Sequence, residues 1–210
     1  MVMLSALMGR PKNYVHDEMV SAAARAFRRH GYGGASLGIL TAATGLRRGS
    51  LYAAFPDKRT LFLAALADYT RATVGHVERT LGGASDPLAG VREALRRVAR
   101  VATDGEGRHG CLLTNTAAEL GGRDAEIREI VAAAFARLEL AYAGAFERAR
   151  VAGQLEDRTD PRGLARTCIA LMHGLRVLGK TGAPAAELEQ IVDTVLGAVS
   201  VRRASGEPAR

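Results

Sequence analysis

The side chains able to do chemistry in this 210-residue chain fall into two groups. One is a set of cations and donors near the start: Arg10, Lys12, Ser36, Arg47, Arg48, Ser50, Tyr52 and Lys58. Guanidinium and ammonium groups interleaved with hydroxyls suit a polyanion, because they neutralise phosphates and donate to base edges. The other is the sparse set His109, Cys111, Cys168 and His173, whose nitrogen and sulfur atoms suit zinc binding or thiolate chemistry. These four lack paired metal-ligand spacing, and the two cysteines are too few for a disulfide framework. No supported catalytic triad, glycine-rich phosphate loop or adjacent metal-binding pair accompanies them. The expectation is a non-enzyme without metal or cofactor, its cysteines reduced. An all-helical enzyme is the alternative of a different class, and turnover or a stoichiometric metal would reveal it.

Charge separates the first group from the rest. Residues 1–60 carry nine Lys/Arg against three Asp/Glu, whereas the remaining residues carry twenty against nineteen, so the formal charge of +7 resides almost wholly in the head. A uniformly solvated surface would not concentrate it so, and a head that meets nucleic acid would. A helical interaction module that never reads DNA is the competing reading, distinguished by partner binding indifferent to Arg47, Arg48, Tyr52 and Lys58. The apolar start MVMLSALM is too short for a signal peptide's hydrophobic region, and no apolar run approaches bilayer-spanning length, so a cytoplasmic protein without membrane contact is expected.

Helical periodicity organises the chain, and no strand pattern interrupts it. Asp17 to His30 reads as a first helix stopped by Gly31, preceded by an extended basic arm, Gly9 to Lys12, that either enters a groove or simply solubilises the end. Ser36 caps a second helix, Thr44-Gly45-Leu46 forms a turn, and Arg47 to Phe55 forms a third helix. Two short helices about a glycine-bearing turn are a helix-turn-helix. In its second helix Leu51 and Phe55 face inward, leaving Arg47, Arg48, Ser50 and Tyr52 outward. The Tyr52 hydroxyl could serve a phosphate or its ring could complete the small core; Ser36 is a cap with or without a phosphate contact.

Beyond Pro56, Asp57 starts a long fourth helix ending before Gly82-Gly83, and Leu88–Ala102 forms a fifth. Cys111–Leu120, Asp124–Arg150, a helix opened by Asp160-Pro161 and one after Pro184 complete about nine helices in an all-α fold. The domains expected are a head at 10–60 and a helical regulatory body at 61–203, with disordered tails at 1–9 and 204–210. Leu164, Cys168, Leu171 and Leu175 on the eighth helix, with Leu188, Ile191, Val192, Val195, Leu196 and Val199 on the ninth, form apolar stripes suited to core or dimer contact.

From Phe27 to Phe62 the chain resembles the TetR family of bacterial transcriptional repressors. The resemblance rests on His30-Gly31, the Ser36-led helix, Ala43-Thr44-Gly45-Leu46, Gly49-Ser50-Leu51-Tyr52, then Phe55, Lys58 and Leu61-Phe62. It implies a homodimer joined through helices eight and nine, an effector cavity bordered by helices four to eight, and release of double-stranded operator DNA when the effector moves helix four. Ala53-Ala54 depart from the aromatic or histidine usual after that tyrosine, and Gly38 and Leu40 depart within the second helix. His109-Gly110-Cys111-Leu112, with Asn115 and Glu119, resembles a branch in which a cysteine begins helix six, some of whose members answer electrophiles or oxidants. Cys111 is thus either a modifiable thiol near helix-terminal N–H groups or a small packed residue. Asn115, Phe135, Leu138, Tyr142, Met172, His173 and Arg176 are the other sensing candidates for a small-molecule effector, each equally placed to be core or dimer surface.

Overall fold

The computed structural model describes residues 12–200, with side chains from 16 onward. Nine α-helices are present among the described residues: α1 Lys12–Gly34, α2 Leu37–Thr44, α3 Arg48–Ala54, α4 Lys58–Gly83, α5 Pro87–Thr103, α6 Leu112–Leu120, α7 Ala125–Val151, α8 Pro161–Lys180 and α9 Ala185–Val199. A 3-10 turn, Gly107–His109, precedes α6, and the only extended pairing among the described residues is an isolated bridge between Leu155 and Ser200. The chain divides into two compact units between Tyr69 and Thr70, inside α4.

In the first unit α1 begins five residues earlier than Asp17, which corrects the extended arm expected at Lys12. No glycine or proline lies between Lys12 and Asp17, so nothing stops the helix from extending back. Arg10 lies outside the described residues. Gly31 does break the helix, at φ 72° and ψ 173°, a conformation that L side chains rarely adopt. Phe27, Leu40, Leu51, Phe55, Leu61 and Phe62 form the buried core, and Leu46 is half-buried. Phe27 meets Phe62 edge-on at 5.0 Å, and Tyr32 joins the cluster 4.8 Å from Phe62.

The second unit is a helical bundle in which α5 packs on α7, α8 and α9, while α7 packs on α8. Proline at the first turn and an aspartate cap start both α5 and α8: Asp86 accepts from Ala89 N at 2.9 Å and Asp160 from Arg162 N at 3.0 Å. Helix α4 runs through Gly82-Gly83 instead of ending before them. Arg148 of α7 donates to the Leu81 carbonyl at 2.8 Å, satisfying a group in the last turn that would otherwise lack a partner. At Gly179 a Cβ would lie 2.7 Å from the Ala102 carbonyl oxygen, so this glycine sets the approach of α8 to α5.

Candidate nucleic-acid interface and sensing body

The interface is built on the α2–α3 turn. Ser36 Oγ accepts from Ile39 N at 3.3 Å and opens α2, while Gly45, at φ 70° and ψ 8°, closes it. Arg47 is extended at the head of α3, and Phe55 is extended at its end because it precedes Pro56, so α3 is one residue shorter at each side than Arg47–Phe55. Leu51 points inward, and Arg47, Arg48, Ser50 and Tyr52 are exposed together with Gly49, Ala53 and Ala54. Tyr52 is 44% exposed, with the Arg48 guanidinium 5.8 Å from its ring centre, so the ring is a surface group and not part of the core. Lys58 is less free than its sequence position suggests: Nζ lies 4.7 Å above the Tyr32 ring and donates to the Gly33 carbonyl at 3.4 Å. Asp57, which receives Thr60 N at 2.7 Å and the Thr60 hydroxyl at 2.9 Å, caps α4.

Tyr32 is the residue in this unit that sequence reasoning undervalued. It is both a member of the aromatic cluster and the platform for Lys58. Its position directly after the helix-breaking Gly31 was the available signal.

In the body, the candidate sensing residues lie on α6, α7 and α8. Cys111 is buried at the N-cap position of α6 without a capping bond from its side chain. Asn115 is directed at the preceding turn, donating to the His109 carbonyl at 2.9 Å across Gly110, whose φ is 82°. Leu138, Tyr142 and Met172 are buried, whereas Phe135, His173 and Arg176 are half-buried. His173 joins three helices: its Nδ1 lies 2.9 Å from Thr114 Oγ1 of α6, and its ring 4.8 Å from Phe135 of α7. Burial and then Arg176 hold its imidazole below the ordinary value. Thr114 escaped sequence reasoning, because nothing local marks a contact with a residue 59 positions away.

Burial pushes the Cys168 thiol up to about 12, and burial first, then Cys168, raises the Tyr142 phenol far above its ordinary range. No group of three or more His, Cys, Asp or Glu among the described residues is placed to hold a metal ion, so His109, Cys111, Cys168 and His173 do not converge on one.

The apolar stripes of α8 and α9 divide by direction. Cys168 and Leu175, with Leu188, Val192 and Leu196, are buried within the single chain, so they are core and not free surface for a partner. The physical reason is that α5 takes one face of both helices. Leu164, Leu171, Ile191, Val195 and Val199 remain half-buried, and Val177 and Leu178 are 56% and 41% exposed.

A basic, exposed second helix behind a left-handed glycine turn, carried on a small helical unit and followed by a larger helical bundle, defines a helix-turn-helix DNA-binding regulator. Residues 19–65 match the family model described as bacterial regulatory proteins, tetR family, and residues 87–204 match that of the tetracyclin repressor-like C-terminal domain. The chain belongs to the TetR family, whose members regulate transcription and do not catalyse reactions. Among similar structures is the TetR family transcriptional regulator CifR, in a cysteine-substituted form complexed with 26-bp double-strand operator DNA. It is 33% identical at a TM-score of 0.77, covering 90% of this chain and 99% of CifR. A TetR regulator from Chloroflexus aurantiacus J-10-FL is 26% identical with a TM-score of 0.79, covering 90% of this chain and 98% of that one. The HTH-type transcriptional repressor ComR of Escherichia coli K12 is 26% identical over 189 residues, 90% of each chain. No helix among the described residues is long and apolar enough to cross a membrane.

Proposed function

We propose that the protein is a ligand-responsive repressor, working in the cytoplasm as a homodimer whose α3 helices enter the major groove of one near-palindromic operator. The observation that carries this reading is the exposed face of Arg47, Arg48, Ser50 and Tyr52 on a unit joined to the body by the unbroken helix α4. The operator complex of CifR supports the DNA-binding half, and the repressor ComR supports the sign of regulation. The first unit reads DNA in this scheme, and the second pairs and senses. Pairing uses the outward part of the stripes: Leu164, Leu171, Val177 and Leu178 of α8 with Ile191, Val195 and Val199 of α9.

An effector held in the body shifts α4 and thereby the separation of the two heads, and the operator is released. The effector binds without covalent attachment. Cys111 is only 4% exposed and Cys168 1%, so neither thiol is open to a reagent, and burial pushes the Cys168 thiol up to about 12, where it carries almost no thiolate at neutral pH.

Sedimentation on a fluorescent operator tests the scheme. Two chains per operator are expected, with Leu178→Glu yielding folded monomers that bind at least about tenfold more weakly, since one unpaired head keeps only half the contacts. One chain per operator, or undiminished binding by the Leu178→Glu monomer, rejects it.

A further inference from the structure

We infer that the body between α6, α7 and α8 is a site for a small carboxylate, with Arg176 as counter-charge and Tyr142 and His173 as its buried polar contacts. The inference rests on the ligand-responsive reading above and adds the chemistry of the ligand.

Two polar atoms in this region are buried without a hydrogen-bond partner: the Tyr142 hydroxyl and His173 Nε2. Tyr142 is among the largest fully buried side chains, at 0% exposure. A phenol left unsatisfied in a protein interior costs about 1–3 kcal/mol, so its retention where phenylalanine would pack equally well points to a partner that arrives from outside. His173 likewise keeps one ring nitrogen open. Its Nδ1 is taken by Thr114 Oγ1 at 2.9 Å and one face by the Phe135 ring at 4.8 Å, which leaves Nε2 as the open end. When the Thr114 hydroxyl donates to Nδ1, Nε2 carries the proton and is a donor.

The sign of the ligand's charge follows from what surrounds these atoms. The charged group acting on both Tyr142 and His173 is Arg176, one turn along α8 from His173, and no carboxylate among the described residues acts on either. Arg176 is half-buried and forms no salt bridge among the described residues, whereas Arg162 and Arg166, farther back on α8, share Glu139 at 3.0 and 3.3 Å. The region therefore offers one uncompensated cation and two neutral polar groups. A carboxylate matches all three by accepting charge-assisted bonds from the guanidinium and hydrogen bonds from the phenol and imidazole. An amine would meet Arg176 with like charge. The apolar remainder, Phe135, Leu138 and Met172, suits a short hydrocarbon or aromatic body on the acid.

The test is a thermal-shift and operator-release screen on the full chain, using straight-chain and aromatic monocarboxylates of about two to ten carbons, each beside its primary amide and amine. At least one acid is expected to raise Tm by about 2 °C or more and to release operator, its amide and amine doing neither. Arg176→Gln, with fold checked by circular dichroism, should weaken that acid at least about tenfold. Tyr142→Phe should weaken it too while leaving the ligand-free protein at least as stable as the parent, an outcome that a purely structural tyrosine would not produce. No response to any acid, equal response to an amide, or an undiminished response in Arg176→Gln overturns the inference. Operator binding without ligand, recorded in the same samples, separates this failure from that of the regulator reading: intact operator binding with no acid response sinks only the carboxylate site.

Discussion

Arg137 of α7 grips Glu78 of α4 with two parallel bonds, Nε to Oε1 at 3.0 Å and Nη2 to Oε2 at 2.8 Å. One turn farther along α4, Arg148 holds the Leu81 carbonyl. The helix that continues into the DNA-binding unit is thus fastened, in the body, to the helix that carries Phe135 and Tyr142. Both partners of the bidentate pair are partly solvated, at 49% and 37% side-chain exposure, so its contribution to stability is small and its geometric role the larger one. Glu78→Gln should cost under about 1 kcal/mol in chemical denaturation. It should also make operator release less responsive to effector without changing ligand-free operator affinity. A large stability loss with unchanged response would show that the pair is structural only.

Ser36 and Gly45 delimit an α2 of only eight residues, too short to persist on its own propensity. Ser36→Ala removes the bond to Ile39 N and should destabilise the head by about 1 kcal/mol, measured by denaturation. Should Ser36 also meet a phosphate, operator affinity at fixed folded fraction falls as well, and the salt slope drops by about one.

Arg47 and Arg48 occupy different backbone settings, the first extended before α3 and the second in its first turn. Each is replaced by alanine and titrated against operator and unrelated DNA over a range of salt. A residue that reads a base should lose about 1–3 kcal/mol on operator alone, while one that holds a phosphate should weaken both DNAs alike and lower the salt slope by about one. Loss of neither kind at both positions would remove α3 from the interface.

Gly179 lies where α8 approaches α5, and a methyl there would meet the Ala102 carbonyl oxygen at 2.7 Å and its Cβ at 2.8 Å. Both obstacles are backbone or directly attached to it, so the helices must separate. Gly179→Ala should cost about 1–3 kcal/mol by overpacking, against the gain in helix propensity that alanine would bring at an open position. Equal or greater stability in denaturation would contradict this close approach.

Two histidines link stability to pH. His173 is held below the ordinary imidazole value by burial and Arg176, and His76 by burial, Arg97 and Arg79. With the folded value depressed, the unfolded chain takes up the proton first, so the stability contribution is whole above about pH 6.5 and is lost as pH falls from there toward the folded values. Denaturation at about pH 7.5 and about pH 5.5 should show a smaller acid loss in a His76→Gln, His173→Gln protein than in the parent. An identical loss in both would refute the linkage.

Much of this architecture is legible in the sequence because the signals are local. Asp86-Pro87 and Asp160-Pro161 each combine a cap with a first-turn proline, and both begin helices. Gly45 between two short apolar runs marks the turn of the helix-turn-helix, and Arg47, Arg48, Ser50 and Tyr52 emerge on its outer face. What the sequence hides is long-range. Nothing near Gly82-Gly83 announces that an arginine 67 residues beyond Leu81 will hold the end of α4. The periodicity of Leu188, Val192 and Leu196 says that they are buried but not by what, and α5 rather than a second subunit supplies the cover. His173 reads as a candidate by type alone; its aim depends on Thr114 and Phe135, which only the fold brings to it.

Selection of bound fragments from the source genome is the most direct test of the central claim. The purified protein is mixed with sheared genomic DNA at about 0.15 M salt, where exposed charges are strongly screened, with excess nonspecific competitor. A few fragments sharing a near-palindromic motif are predicted to survive, and an Arg47→Ala, Arg48→Ala protein is predicted to lose them. Uniform or absent recovery by folded protein would contradict sequence-specific operator recognition.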